Sequence, residues 1–360
     1  MTLTMTGSGA LVPRPDLDAV PVYSSAAAGS VPTIIRASSN EAPFGVAASV
    51  RDAVHARLET ANRYPQLGAG DLAQAIARDL GASPAEIACA DGSLSLLTYL
   101  LLSYVRPGQN VVHAWRSYEA YPICVRTAGG RPVGVANRSD GGHDLDTMAG
   151  MLDPDTAAII LCSPNNPTGT SLAHDDVAAF LDRVPESVAV VLDEAYVDFS
   201  TDPAAVRSFE LLQRHRNLVV LRTFSKAYGL AGLRIGFCVA HPDVVSTVTK
   251  ILPPFPVSAL SVSAAIAALD DRAYHDAIVA RVVAQRVEVS ALLDELGVAH
   301  DQTEANFVWL PLGAESRRLG IECSDRGMST RVFEGEGVRV SLGEEGVVDV
   351  LRASLTAFLA

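Results

Sequence analysis

Cysteine is scarce in this chain and poorly spaced for either of its structural uses. The five residues, Cys89, Cys124, Cys162, Cys238 and Cys323, are odd in number, far apart and mostly set in apolar runs, with no C-x-x-C pair. That excludes a zinc ribbon and a disulfide framework, and it reads as buried, reduced thiols. The eight histidines are scattered and form no H-E-x-x-H, so no metal is expected. Charged residues are only 19% of the 360, and they sum to −13. An acidic balance of that size disfavours nucleic acid or an anionic membrane as the main partner, though it leaves room for a local basic pocket. No apolar stretch is long and unbroken enough to span a bilayer. The first ten residues lack the basic-then-apolar order of a secretion signal. The expectation is a soluble, cytoplasmic protein without internal repeats.

What is present is enough apolar sequence for a large core: hydrophobic residues are 49% of the chain, and this length favours two domains over one. Residues 1–45, rich in Pro, Ser, Ala and Gly, read as an N-terminal arm. Residues 46–60 give an amphipathic helix, and Asp71 is a plausible N-cap for a second that runs to Leu80. From Glu86 short apolar strands alternate with helices, at residues 87–90, 111–114, 157–162, 188–192, 218–221 and 237–240. Apolar runs of this kind mean a three-layer α/β fold with a mostly parallel sheet covered on both faces. Pro253, Pro254 and Pro256 mark a boundary. Beyond it come helices over 258–269 and 273–296, strands at 306–310 and 338–342, and a closing helix over 344–359. The expected organisation is therefore an arm (1–45), a large domain (46–252) and a smaller α+β domain (253–360).

The chemistry gathers at strand ends. Tyr118, Asn166, Asp193 and Lys226 each fall just past the carboxyl end of a different strand, the edge at which open α/β sheets bind ligands. Lys226 follows an apolar run and precedes Gly229, Gly232, Arg234 and Gly236. An amine there suits an aldehyde cofactor bearing a phosphate, with the arginine gripping the phosphate bidentately. The glycine spacing is not a dinucleotide fingerprint, because it follows a lysine instead of opening a helix directly after a strand. Taken singly, each feature has a plainer reading. Asp193-Glu194 is an acidic turn, Asn165-Asn166-Pro167 is an ordinary turn sequence, Tyr118 is a packing aromatic and Arg339 is an edge-strand cation. Together and in this order they are much harder to dismiss.

Asn40-Glu41-Ala42-Pro43, Arg63-Tyr64-Pro65, and residues 163–169, 193–196 and 221–236 resemble the fold type I pyridoxal-phosphate aminotransferases. More closely, they resemble the histidinol-phosphate aminotransferase family. Two further stretches, 115–122 and 305–311, look most like its actinobacterial branch labelled phenylalanine, or aromatic amino acid, aminotransferase. The resemblance implies that Lys226 holds the cofactor through its amine and shuttles a proton at the substrate Cα. It implies that Asp193 faces the pyridine nitrogen, that Tyr196 and Asn166 bond the phenolate oxygen, and that Tyr118 stacks on the ring. Gly92, Ser93, Thr223, Ser225 and Arg234 would cup the phosphate, with Tyr64 reaching it from a neighbouring subunit, which implies a homodimer with shared sites. Arg339 would receive the substrate carboxylate or phosphate, Arg331 is a second anion-binding arginine, and Asn40 and Tyr23 border the substrate pocket.

Two departures concern the substrate. Asn-Glu-Ala-Pro stands where relatives often have Asn-Glu-Asn-Pro, and residues 321–330 look too polar and irregular for the strand expected before Arg331. The implied activity is transfer of an amino group from an L-amino donor, aromatic or histidinol phosphate, to a 2-oxo acid such as 2-oxoglutarate by ping-pong kinetics. The alternatives are a donor that is a non-proteinogenic amino acid, a same-fold decarboxylase of a phosphorylated amino acid, and a cofactor-binding regulator. The last should carry a basic DNA-binding segment, and none precedes residue 45.

Overall fold

The computed structural model describes residues 18, 20, 32–42 and 44–360. In chain order these form β1 (Ile35–Ala37), α1 (Ala48–Leu58), α2 (Gly70–Leu80), β2 (Ile87–Ala90), α3 (Ser93–Tyr104), β3 (Asn110–Trp115), α4 (Ala120–Thr127) and β4 (Arg131–Ala136). Then follow α5 (Leu145–Gly150), β5 (Thr156–Cys162), α6 (His174–Leu181), β6 (Ala189–Asp193), α7 (Ser208–Leu212), β7 (Leu218–Thr223), β8 (Gly236–Ala240) and α8 (Pro242–Thr249). The chain closes with α9 (Ala259–Asp270), α10 (Arg272–Glu295), β9 (Phe307–Leu310), α11 (Ser316–Asp325), β10 (Met328–Phe333), β11 (Gly337–Ser341) and α12 (Val347–Leu359).

Seven strands make the larger sheet in the order β2-β8-β7-β6-β5-β3-β4. All its neighbours are parallel except at β8, which runs antiparallel to both β2 and β7. The strands are apolar throughout because both faces are covered. Val111, Val191, Val219 and Leu221 face the core beneath α3 and α4. Their neighbours Val112, Val190, Leu192 and Val220 face the core beneath α6. Period-two alternation in a strand sends successive side chains to opposite faces, and each buried Val or Leu contributes roughly 1.5–3 kcal/mol. At the antiparallel edge Cys89 and Val239 pack under α1, α2 and α9. Thus α9, which follows the proline-marked boundary, lies on the larger sheet.

The smaller sheet has the order β1-β10-β11-β9, with β1 parallel to β10 and the other pairs antiparallel. Its core joins α10, α11 and α12 to Tyr196, Phe199 and Ala227 from loops of the larger sheet. That shared core ties the carboxyl edge of one sheet to the face of the other, and the space between them is the site.

Several local expectations needed correction. Residues 321–330 are not irregular: they hold the end of α11 and the start of β10. Their polarity is that of an amphipathic helix end, with Cys323 buried and Glu322 paired with Arg326. Asp71 is not a cap; it lies in the first turn of α2, whose cap is Ala69 in the left-handed region. β4, unmarked in the sequence reading, is an edge strand in which every residue but Val135 is exposed or part-exposed, so it carries no continuous apolar run. Among the described residues no helix is long and apolar enough to cross a membrane.

Candidate active site

Lys226 stands three residues past the end of β7. Its Nζ donates to the backbone carbonyls of Ser39 (3.2 Å) and Asn40 (3.0 Å) and lies 5.6 Å from the Tyr196 ring centre. Burial, and then the charge of Arg339, lower its pKa to about 7. Asp193, the last residue of β6, is 7% exposed. It accepts hydrogen bonds from the Tyr121 hydroxyl (2.8 Å) and the Ala195 amide (3.1 Å). Burial nonetheless pushes its carboxyl up to about 6. Tyr196 packs edge-on against Phe307, and its hydroxyl accepts from Asn40 Nδ2 at 3.0 Å.

Beside the lysine a cup forms at the start of α3. The first amides of a helix have no partner within it, and they favour an anion. Arg234, at φ 52°, reaches the carbonyl of Ala231 (2.9 Å) and the hydroxyl of Ser225 (3.4 Å). Gly92 caps α3 at φ 123°, and a Cβ there would sit 2.7 Å from Arg234 Nη2. Only glycine lets the arginine close over the helix start. The Thr223 hydroxyl takes the Ser225 amide at 3.0 Å and so shapes this turn.

The facing wall comes from the smaller sheet. Arg339 on β11 donates to Asn166 Oδ1 (2.6 Å) and to the Ser38 carbonyl (2.6 Å). The Asn166–Pro167 peptide is cis. Arg331 on β10 stands directly opposite Arg339 in the ladder and donates to Glu119 Oε2 at 2.7 Å. Asn40 is buried at φ 54°, bonded to Ser341 by both its amide and its side chain. Its carbonyl also accepts from Asn306 Nδ2.

Ser93, Tyr118, Asn166, Asp193, Tyr196, Thr223, Ser225, Lys226, Arg234, Arg331, Arg339 and Asn40 thus line one cavity of ≈ 450 Å³, with Gly92 at its edge. Tyr64 lies elsewhere, 80% exposed and stacked on Phe255 at 4.5 Å, and Tyr23 lies outside the described residues. The sequence reading assigned no role to Tyr121, Glu119, Phe333 or Asn306. Tyr121 lies in the first turn of α4, three residues after Tyr118, which is the only local signal it offers. The donor set fits pyridoxal phosphate. It supplies a cationic cup for the phosphate, a buried carboxylate for the ring nitrogen, and an amine of lowered pKa between them.

Comparison with known proteins agrees. Residues 32–355 match the family "Aminotransferase class I and II". The chain is 43% identical over 332 residues to an aromatic amino acid aminotransferase of Thermobifida fusca, covering 92% of each chain. It is 41% identical over 347 residues to one of Rhodococcus jostii, covering 96% of this chain and 95% of the other. The histidinol-phosphate aminotransferase of Sinorhizobium meliloti, solved with pyridoxal-5'-phosphate, superposes with a TM-score of 0.88 at 30% identity over 98% of both chains. With that fold, that cavity and those relatives, the chain belongs to the class I and II aminotransferases, of fold type I, and is a pyridoxal-phosphate-dependent aminotransferase.

Proposed function

We propose that this enzyme moves an amino group between an L-amino donor, an aromatic amino acid or histidinol phosphate, and a 2-oxo acid such as 2-oxoglutarate, in two half-reactions on one site. The observation that carries this is the convergence of Lys226, Asp193, the Ser93–Ser225–Arg234 cup and Arg339 on a single cavity. When bound, the cofactor's protonated ring withdraws electron density from the substrate Cα. Asp193 keeps that ring nitrogen protonated, because a carboxylate in a buried site gains strongly from a cationic partner. Lys226 holds the cofactor and, once released, takes the proton from Cα and returns it elsewhere. Burial and the charge of Arg339, which lower its pKa to about 7 in the cofactor-free site, favour the neutral amine that accepts a proton. Tyr196 and Asn166 orient the ring oxygen, Tyr118 covers the ring face, and Gly92 and Thr223 shape the phosphate cup. Arg339 receives the substrate carboxylate bidentately, or the phosphate when the donor is histidinol phosphate, with Asn40 setting the floor.

We extend the reading to a homodimer in the cytoplasm. The 80% exposure of Tyr64 supports its reaching the phosphate cup of a neighbouring subunit. Closure of the smaller unit, within residues 253–360, upon residues 46–252 would then exclude water from the cavity.

The test is the absorbance change of the holoenzyme on adding single donors: phenylalanine, tyrosine, histidinol phosphate, glutamate and several non-proteinogenic amino acids. Bleaching of the yellow form by an aromatic donor or histidinol phosphate is expected, with Lys226→Ala inactive. A yellow protein that none of these bleaches would refute the donor assignment.

A further inference from the structure

Ser341 and Arg339 are two residues apart on β11, so both side chains leave the same face of the smaller sheet. Arg339 lines the cavity, whereas Ser341, 3% exposed, is not part of its wall. What Ser341 meets is Asn40. Its Oγ accepts the Asn40 backbone N–H at 2.8 Å and donates its own proton to Asn40 Oδ1 at 2.8 Å. The Asn40 backbone is held from a second side, where its carbonyl accepts from Asn306 Nδ2 at 3.1 Å. A buried hydroxyl proton needs an acceptor, and in this grip the acceptor is Oδ1. The amide is thereby oriented. Oδ1 faces Ser341, and Nδ2 faces the Tyr196 oxygen 3.0 Å away. An amide NH2 only donates, so the Tyr196 oxygen accepts and its own proton is not spent on Asn40. Burial pushes the Tyr196 phenol well above its usual pKa range, so that proton stays on and only its direction is open.

We propose that Ser341 is a positioning residue that, through Asn40, turns the Tyr196 proton into the cavity. There the tyrosine donates to the cofactor's ring oxygen. The reversed amide would present Oδ1 to Tyr196 and draw that proton away, and it would leave the Ser341 proton without its acceptor. This rests on the reading of Tyr196 as the group that meets the ring oxygen, and it adds which way that hydrogen bond runs and what sets it. A donor at that oxygen favours its negatively charged form. Ser341 thus holds down the pH at which the bound cofactor gives up its proton, and it does so from outside the cavity wall.

The yellow absorbance of the substrate-free holoenzyme, followed against pH, tests this without turnover. Ser341→Ala should raise the titration midpoint by about half a unit or more, and Tyr196→Phe, which has no proton to give, by about one unit. Ser341→Thr, which keeps the hydroxyl, should titrate as the wild type does. In the Tyr196→Phe background Ser341→Ala should add nothing, because it acts through the missing hydroxyl. The titratable and charged groups nearest Tyr196, which are Lys226, Arg339, Asp193 and Cys162, are kept in every variant. A midpoint that Ser341→Ala leaves unmoved, or moves as far in the Tyr196→Phe background as alone, would overturn the proposal. If Tyr196→Phe itself moves nothing, the placement of Tyr196 at the ring oxygen fails, and the proposal with it.

Discussion

The Tyr121 hydroxyl donates to Asp193 Oδ2 at 2.8 Å across 72 residues of sequence, inside a site from which both side chains have lost nearly all contact with solvent. A hydrogen bond to an ionised carboxylate favours ionisation, so this one opposes the burial that pushes Asp193 up to about 6. Tyr121→Phe should raise the Asp193 pKa further. The pH profile of pyridoxal phosphate uptake by the cofactor-free protein should move to higher pH by about one unit, with a loss of about threefold near pH 6.5 and almost none at pH 8.5. A pH profile that does not move would show that the tyrosine only packs.

Asp193 also taxes the cofactor-free fold. Its folded pKa, about 6, exceeds its ordinary 3.8. The fold therefore keeps its full stability below the unfolded pKa and loses part of it as pH rises through about 6. Asp193→Asn removes that loss. The cofactor-free variant should gain about 2–3 kcal/mol over wild type at pH 7.5 and almost nothing at pH 3.5, while losing most of its activity. Thermal melts at the two pH values give the comparison, and a gain that is equal at both would contradict this origin.

The lowered pKa of Lys226, about 7, predicts when the amine reacts. The neutral form, the nucleophile, accumulates as pH rises through 7, well below the ordinary lysine range. Borohydride trapping of pyridoxal phosphate on cofactor-free protein should follow that curve. The chain has only two lysines, Lys226 and Lys250, so mass spectrometry of the trapped peptide assigns the site directly. A midpoint near 10, or label on Lys250, would count against the assignment.

Arg339 is the second-largest cause of that lowered value. Arg339→Gln should therefore shift the trapping midpoint upward. It should also raise KM for both amino donor and 2-oxo acid by about 100-fold, while Arg339→Lys recovers little, because an ammonium cannot reproduce a planar two-point grip on a carboxylate. If lysine restores KM fully, a point charge is all the site requires.

Gly92→Ala tests the phosphate cup without removing any polar group. The added Cβ would meet Arg234 Nη2 at 2.7 Å, and φ of 123° is unfavourable to any side chain. Cofactor affinity should fall by about 10- to 100-fold, equivalent to ~1.4–2.8 kcal/mol, with the fold otherwise retained. Equilibrium dialysis against free pyridoxal phosphate measures it.

The sequence by itself determined the frame of this protein. Apolar runs such as 157–162 and 218–221 can be stable only as strands covered on both faces, and the residues that follow a buried strand must emerge at its carboxyl edge. That is why Asp193, Asn166 and Lys226 could be placed at one edge from the chain alone. Residues 321–330 were misread because a half-exposed helix end lacks a continuous apolar signal, and β4 escaped for the same reason at an exposed sheet edge. What only the tertiary structure decided are the partnerships: Tyr121 with Asp193, Glu119 with Arg331, and Asn40 with Tyr196. Each joins residues at least 72 positions apart. A charge or hydrogen bond takes its value from the group that faces it and from the water removed between them, and neither is encoded in local periodicity. The type of chemistry was legible along the chain, whereas the partner that each charged group meets follows from two sheets meeting.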